Sequence, residues 1–502
     1  MKTLIIPAAG LATRLRPISN VASKCMVPVN GKPTISYILD SVGFAFDKIV
    51  IVYGKNDDVV SYVKTKYPEH DVSFVKQENP AGPLHAVHLG IETIENSQSV
   101  TIWLGDTIIG NVQKYSLNND SLFASIVGDY ERWCMVSPNG QTLYDKPTEQ
   151  PPTKFALIGV YNFSDFSLVK SLCSAIINSG ERVRGEFQLS QLISAYNNVY
   201  SMSVTDVELS DWYDTGDLPS LYDSSARLLQ STACRPDSNV KIDTQRGTFT
   251  KIGDRVKNEI NWYRSIPESV KPFVPSVYSH TDNSYTMELM NGTTVANMLL
   301  YESLSSDTVR YIIRRCLEAY KLAFFEKPTK NRSSDMLIDM HLNRVRNEKY
   351  YSFEQRAKYI DHCVTMGMTM HSGRYDFEVS CIHGDYHLGN IMFFPENGRV
   401  KFIDPRGNWG GVKTTSGNIM YDMIKFAQSI VGEYIWIYEG LPVNQNVKSV
   451  ALDEMVKFFN ENDIDSHTVI RHVPILMGSI LEFHTDSPKR QKRIMQKTIE
   501  LI

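Results

Sequence analysis

Short continuous apolar stretches rich in β-branched residues recur at residues 2–7, 48–53, 72–75 and 100–104, the pattern of strands buried on both faces. Between them, residues 33–46 and about 84–94 carry a helical period. This β-α-β alternation predicts a Rossmann-like α/β domain with a mostly parallel sheet. It sets turns such as Gly105-Asp106 at the carboxyl ends of strands, where open α/β sheets bind ligands. The periodicity fades over residues 228–247 into the polar, turn-prone run 230–239, which places a domain boundary near residue 236: one domain at 1–235, a second at 236–502. The second opens as a small β-rich lobe, with strands at 248–252 and 284–289 and a helix at 256–264. From Ser306 its character changes. Val309, Ile312, Ile313, Cys316, Leu317, Tyr320, Ala323 and Phe324 mark the buried face of a helix behind a Ser-Asp cap, and further helical patterns at 333–347, 354–370, 418–437, 449–462 and 488–501 predict a mainly helical lobe.

The length of 502 residues, 42% hydrophobic, suffices for more than one core. Charge is close to balance, with 52 Lys and Arg against 56 Asp and Glu, so no overall basic field draws in nucleic acid or anionic lipid. The seven cysteines are scattered and show no C-x-x-C or zinc spacing, the usage expected of a reducing cytoplasm. The apolar amino terminus is interrupted by Pro7 and runs on into Arg14-Leu-Arg16, unlike a secretory signal, and no run approaches the length of a membrane span. A cytoplasmic protein acting on small molecules is therefore expected, with homo-oligomerisation left open.

The first strand leads into Ala8-Ala9-Gly10-Leu11-Ala12-Thr13-Arg14-Leu15, and Ser23-Lys24 follows. Small residues let backbone N–H groups approach a triphosphate, and Arg14 and Lys24 can neutralise it. The loop lacks both G-x-G-x-x-G and G-K-[ST], so neither dinucleotide nor P-loop binding is indicated.

In the second domain, Cys381-Ile-His383-Gly-Asp385-Tyr-His387-Leu-Gly-Asn390 has the spacing of a phosphotransferase catalytic loop: a His two residues before the Asp that takes the acceptor proton, and an Asn five residues after it for magnesium. The apolar run after Asn390, the turn 395–398 and the run 400–403 predict a hairpin delivering Asp404 as a second magnesium ligand. Lys251, in a strand, and Glu259, in the next helix, have the placement of an ion pair that orients ATP phosphates.

The amino-terminal segments resemble the sugar-phosphate nucleotidyltransferases, the NDP-sugar pyrophosphorylases, whose signature reads G-x-G-x-R-L followed by Pro-Lys or Ser-Lys; here Ala12 replaces the second glycine. The likeness continues in order through Gln77 to Ala86, Gly105-Asp106, Asp145-Lys146-Pro147, Ile158-Gly159, Arg184-Gly185-Glu186 and Trp212-Tyr-Asp214, covering about residues 1–225. It implies NTP binding by Ala9, Gly10, Leu11, Ala12, Thr13, Gln77 and Gly82, Mg²⁺ binding by Asp106 and Asp214, catalytic roles for Arg14 and Lys24, and acceptor binding by Lys146, Gly159 and Glu186. The chemistry is in-line attack of a phosphate monoester on the α-phosphorus of an NTP with loss of pyrophosphate, where positioning and charge neutralisation do most of the work.

The motif around Asp385 resembles that of the aminoglycoside phosphotransferase and choline kinase superfamily and covers about residues 240–500. It implies an α+β, bilobal, protein-kinase-like fold using ATP and Mg²⁺, with Asp385 as base, Asn390 and Asp404 as metal ligands, Lys251 and Glu259 at the phosphates, and residues 287–291, including Glu288, beside the adenine. Choline kinases follow the metal Asp with acidic and aromatic residues, whereas this chain has Pro405-Arg406-Gly407-Asn408-Trp409, and Arg406 suits a neutral or anionic acceptor better than a quaternary amine. Together the two resemblances imply a bifunctional enzyme that phosphorylates a sugar or polyol with ATP and then couples the phosphate to a nucleotide, giving an activated precursor for surface glycans. The rival readings are a choline or ethanolamine kinase joined to a cytidylyltransferase, and a regulatory protein with one inactive domain.

Overall fold

The first apolar run forms the strand Lys2–Ala8, flanked in parallel by Lys48–Tyr53 on one side and Ser99–Trp103 on the other. In the computed structural model all residues are described except 17–18, 20–22, 233–237, 254–255, 291, 302–303, 326–355, 371–377, 396 and 410–411. The chain divides into two units, Met1–Leu228 and Leu229–Ile502.

In the first unit Thr3, Leu4, Ile5 and Ile6 are all buried, so both faces of the central strand are covered. Gly90 lets the helix Pro83–Glu92 approach this sheet closely; a Cβ there would stand 3.1 Å from Val52 and 3.4 Å from Ile5. Val72–Lys76 completes the parallel core. Beyond Ser99–Trp103 the sheet becomes mixed. Phe155–Phe163 pairs antiparallel with Ser99–Trp103, Ser121–Ile126 and Cys134–Val136, because the chain between residues 104 and 154 holds short strands and turns and no α-helix to carry a parallel crossover. The chain lays its strands outward on one side of Lys2–Ala8 and returns to Ser99–Trp103 on the other. The crevice at this switch point lies beyond Ala8 and Trp103, where the loops carrying Ala9–Thr13 and Asp106 begin.

In the second unit, Ser238–Asp243, Thr248–Gly253, Ser284–Glu288 and Val277–His280 form a four-stranded antiparallel sheet, followed in the chain by helical segments. The predicted core positions of the helix Ser306–Phe324 are all buried, and the Ser305 side chain caps it by accepting from the Thr308 N–H. Ile391–Phe394 and Arg399–Phe402 form the predicted hairpin. The pattern at 418–437 resolves into two helices, Ile419–Ile430 and Tyr434–Glu439, because the chain breaks at Gly432-Glu433, where Glu433 has φ 54°. The helix expected at 333–347 lies outside the described residues. Among the described residues, no helix is long and apolar enough to cross a membrane, and Cys25, Cys134, Cys173, Cys316, Cys363 and Cys381 are unbridged.

Candidate active sites

In the first unit, Asp106 follows strand Ser99–Trp103 and Asp214 ends the strand Trp212–Asp214, which pairs antiparallel with Thr107–Ile109 in a register that sets Asp214 opposite Thr107. Thr215 fastens the two turns by donating its N–H and Oγ1 to the Asp106 carbonyl at 3.0 and 2.9 Å. Gly216 sits between the carboxylates; a Cβ there would lie 3.0 Å from Asp214 Oδ1 and 3.2 Å from Asp106 Oδ2. Burial and the neighbouring Asp106 charge raise the pKa of Asp214. Two facing carboxylates, one of them penalised for its charge, suit a magnesium ion that completes its shell with water and substrate phosphates. Among the described residues no group of three or more His, Cys, Asp or Glu could hold a metal alone.

Each carboxylate carries a cation of the chain. Lys24 Nζ pairs with Asp106 Oδ2, and Arg132 with Asp214 Oδ2. Lys24 is held in place from behind, where the Ser23 N–H donates to Asp58 at 2.8 Å and Cys25 and Met26 are buried. Ala9 is buried, while Gly10, Leu11 and Arg14 are exposed at the loop's outer edge. Ala12, in place of the expected glycine, takes the left-handed conformation at φ 46° and ψ 41° just before the turn Thr13–Leu15. That explains a glycine preference at the position: alanine tolerates this conformation at a cost of about 1 kcal/mol.

Residues expected at the acceptor, Lys146, Gly159 and Glu186, lie close to ones expected at the nucleotide. Gly82, at φ 108°, begins the helix Pro83–Glu92, and a Cβ there would be 2.6 Å from the Phe187 carbonyl and 2.9 Å from Glu186 Cβ. Phe187 donates its N–H to Ala81 at 2.9 Å. Arg184 reaches from the same loop to the carbonyls of Asp145 and Lys146 at 3.1 and 2.8 Å, so Lys146, Glu186 and Gly82 share one rim. Gly159, at φ 94°, accepts the Leu104 N–H at 2.8 Å beside the Asp106 turn. Gln77 is buried, its amide 2.8 Å from His85 Nδ1.

In the second unit the segment around Asp385 is held by a helix that is buried throughout. Asp422, on Ile419–Ile430, accepts from the N–H groups of His383 and Gly384 at 2.8 and 2.9 Å and from the Tyr320 hydroxyl at 2.6 Å. Burial pushes its pKa up to about 7 in spite of these donors. Lys425, one turn on, reaches Asp385 Oδ1 at 3.1 Å, and Asn390 Nδ2 donates to Asp385 Oδ2 at 3.2 Å. Burial works to raise the Asp385 pKa, but Lys425 and His387 outweigh it and hold the carboxyl well below the usual range. His387 accepts the Gly389 N–H at Nδ1, 3.1 Å, a bridge between loop segments. Replacing Asp422 by alanine would orphan three buried donors. The expected cost is about 3 kcal/mol or more, read as a lowered thermal transition of the second unit beside an unchanged first.

Lys251 lies 2.9 Å from Glu259 and 3.1 Å from Asp404, and Tyr285 donates to Glu259 at 2.8 Å. Asp404 has φ 55°, and the preceding Ile403 N–H donates to the Asn390 carbonyl at 3.0 Å, so the hairpin returns Asp404 towards Asn390. Arg406 donates its N–H to the His383 carbonyl at 3.0 Å and its guanidinium to the Tyr421 hydroxyl at 3.2 Å. The Glu288 carboxylate accepts the Ser276 N–H at 3.2 Å.

Arg132 and Asp217 escaped the sequence reading, and from the sequence Asp422 and Lys425, on an expected helix, read equally well as supports of the Asp385 loop and as plain polar positions of an amphipathic helix. That helix is buried on every side, so ionisable residues within its apolar pattern were the usable signal. Arg132 carries no such signal, lying in a charged turn.

Residues 3–231 match the family described as Nucleotidyl transferase. A glucose-1-phosphate thymidylyltransferase of Streptomyces griseus is 28% identical over 279 residues, covering 51% of this chain and 75% of the relative. A UTP--glucose-1-phosphate uridylyltransferase of Haloferax volcanii is 27% identical over 207 residues, 38% of this chain and 81% of its own. A solved structure of a UDP-glucose pyrophosphorylase with UDP-glucose aligns at 20% identity over 46% of this chain and 99% of that chain, with a TM-score of 0.41. The amino-terminal region thus matches the nucleotidyl transferase family over residues 3–231.

Proposed function

We propose that this protein is a bifunctional enzyme. Its second unit phosphorylates a sugar or polyol with ATP, and its first unit transfers a nucleotidyl group from a second NTP to the resulting phosphate, releasing pyrophosphate. Support for the first step comes from the convergence of Asp385 with Lys425 and Asn390, and of Asp404 with Lys251 and Glu259, which is the observation that carries the bifunctional reading. A carboxylate held ionised by a buried lysine orients an acceptor hydroxyl and takes its proton late, which fits a loose phosphoryl-transfer transition state. Lys251 would bind ATP phosphates, and Asn390 and Asp404 would hold magnesium, whose charge screens the transferring group.

For the second step, Asp106 and Asp214 would hold magnesium, Arg14 and Lys24 the triphosphate, and Lys146 and Glu186 the acceptor. The relatives named for glucose 1-phosphate with UTP or a thymidylyl donor support a sugar phosphate as acceptor. The test is a screen of the purified protein with ATP, each NTP, Mg²⁺ and a panel of sugars, polyols and amino alcohols, reading ADP and pyrophosphate separately. ADP with no sugar or polyol, or pyrophosphate with no sugar phosphate, would refute the corresponding half.

Arg406 supports a neutral acceptor. Arg406→Glu reverses the charge beside the Asp385 loop and is expected to shift acceptor use towards amino alcohols by about tenfold, measured as the ratio of kcat/KM values for cationic and neutral acceptors. An unchanged ratio would show that Arg406 does not face the acceptor.

A further inference from the structure

We propose that Arg132 is a resident counter-ion of the Asp106–Asp214 carboxylate pair, one that occupies the cation position at Asp214 and must be displaced before a divalent ion binds there. The inference rests on the reading of Asp106 and Asp214 as magnesium ligands and adds a regulator of that site.

Both carboxylate oxygens of Asp214 are engaged. Oδ1 accepts the Gly216 N–H at 3.0 Å and Oδ2 accepts from Arg132 Nη2. The first donor is backbone in a tight turn and cannot leave cheaply. The second is a side chain on the turn between strands Ser121–Ile126 and Cys134–Val136.

Arg132 has a second seat ready. Its Nη1 lies 2.9 Å from Asp217 Oδ2, its Nη2 is 3.1 Å from Ser220 Oγ, and its guanidinium stacks over the Trp133 ring at 4.5 Å. Asp217 is itself fixed, accepting the Ser220 N–H at 2.9 Å at the start of the helix Leu218–Thr232. A guanidinium shared between two carboxylates can give up one and keep the other, so an incoming cation competes for Asp214 without leaving the guanidinium unpaired.

The cation on Asp106 is Lys24, which the proposed triphosphate would draw away, whereas Arg132 is held by Asp214 and Asp217 and, at 3.9 Å, by Asp129 on its own turn. The consequence is weak binding of divalent ions in the absence of nucleotide.

The test is a Mn²⁺ titration of the full-length protein without nucleotide, following free Mn²⁺ by electron paramagnetic resonance. The variants are Arg132→Gln, Arg132→Lys, Asp214→Asn and the Arg132→Gln/Asp214→Asn pair. Because all arms share the second unit, its own cation sites cancel in the differences. Arg132→Gln is expected to tighten one Mn²⁺ site by about tenfold or more, a gain that vanishes when Asp214→Asn is added. Arg132→Lys keeps the charge and is expected to stay within about threefold of wild type; it also shows that any gain in the Gln variant is not a general loosening of the turn. Equal Mn²⁺ affinity in wild type and Arg132→Gln, with binding lost in Asp214→Asn, would overturn the counter-ion proposal while leaving Asp214 as a ligand. No change with Asp214→Asn in either background would overturn the ligand assignment and the proposal together.

Discussion

Asp106→Ala and Asp214→Ala are each expected to cut pyrophosphate release by on the order of a hundredfold to a thousandfold, while ADP formation from ATP and the acceptor continues at the wild-type rate. The two carboxylates flank Gly216 and face one another, so losing either halves the anionic charge available to a cation at the α-phosphate. Asp106→Ala also strips Lys24 of its partner, and Asp214→Ala takes one carboxylate from Arg132 while leaving it Asp217, but both cations are partly exposed and remain hydrated. The fold should therefore survive. The second unit has its own core and its own carboxylates, so the effect should not spread to it. Pyrophosphate release at the wild-type rate by both variants would remove these residues from the nucleotidyl transfer.

Much of this arrangement was legible in the sequence because the signals were local. The strand Lys48–Tyr53 and the helix Ser306–Phe324 follow directly from apolar runs and helical spacing, and the hairpin delivering Asp404 follows from two apolar runs around a turn. The order of Asp106, Lys146, Glu186 and Asp214 along the chain was readable as well, since each sits in a short motif. What stayed hidden depends on contacts between distant segments. Arg132 meets Asp214 across 82 residues, and Asp422 meets the His383 N–H across 39. Nothing at Arg132 distinguishes it from a surface cation until the sheet is assembled. Sheet direction was partly hidden for the same reason: the short strands 134–136 and 143–145 carry too few residues to reveal their pairing.

The second large effect concerns Asp385. Asp385→Asn is nearly isosteric and keeps a carbonyl oxygen near Lys425, so the loop held by Asp422 should stay in place. The amide cannot accept the acceptor's proton, and the loss of negative charge leaves Lys425 buried without its carboxylate. Phosphorylation of the free acceptor is expected to fall by about 10³-fold. In the proposed order of steps, supplied acceptor phosphate would enter after this one and use the first unit alone.

The bifunctional claim is therefore tested most directly by chromatographic measurement of NDP product in wild type and Asp385→Asn, starting once from the free acceptor with ATP and NTP and once from the acceptor phosphate with NTP. The account predicts that the variant loses product from the free acceptor and makes it at nearly the wild-type rate from the phosphate. Undiminished product from the free acceptor would contradict the kinase role of Asp385, and equal loss from both starting compounds would contradict two separable steps.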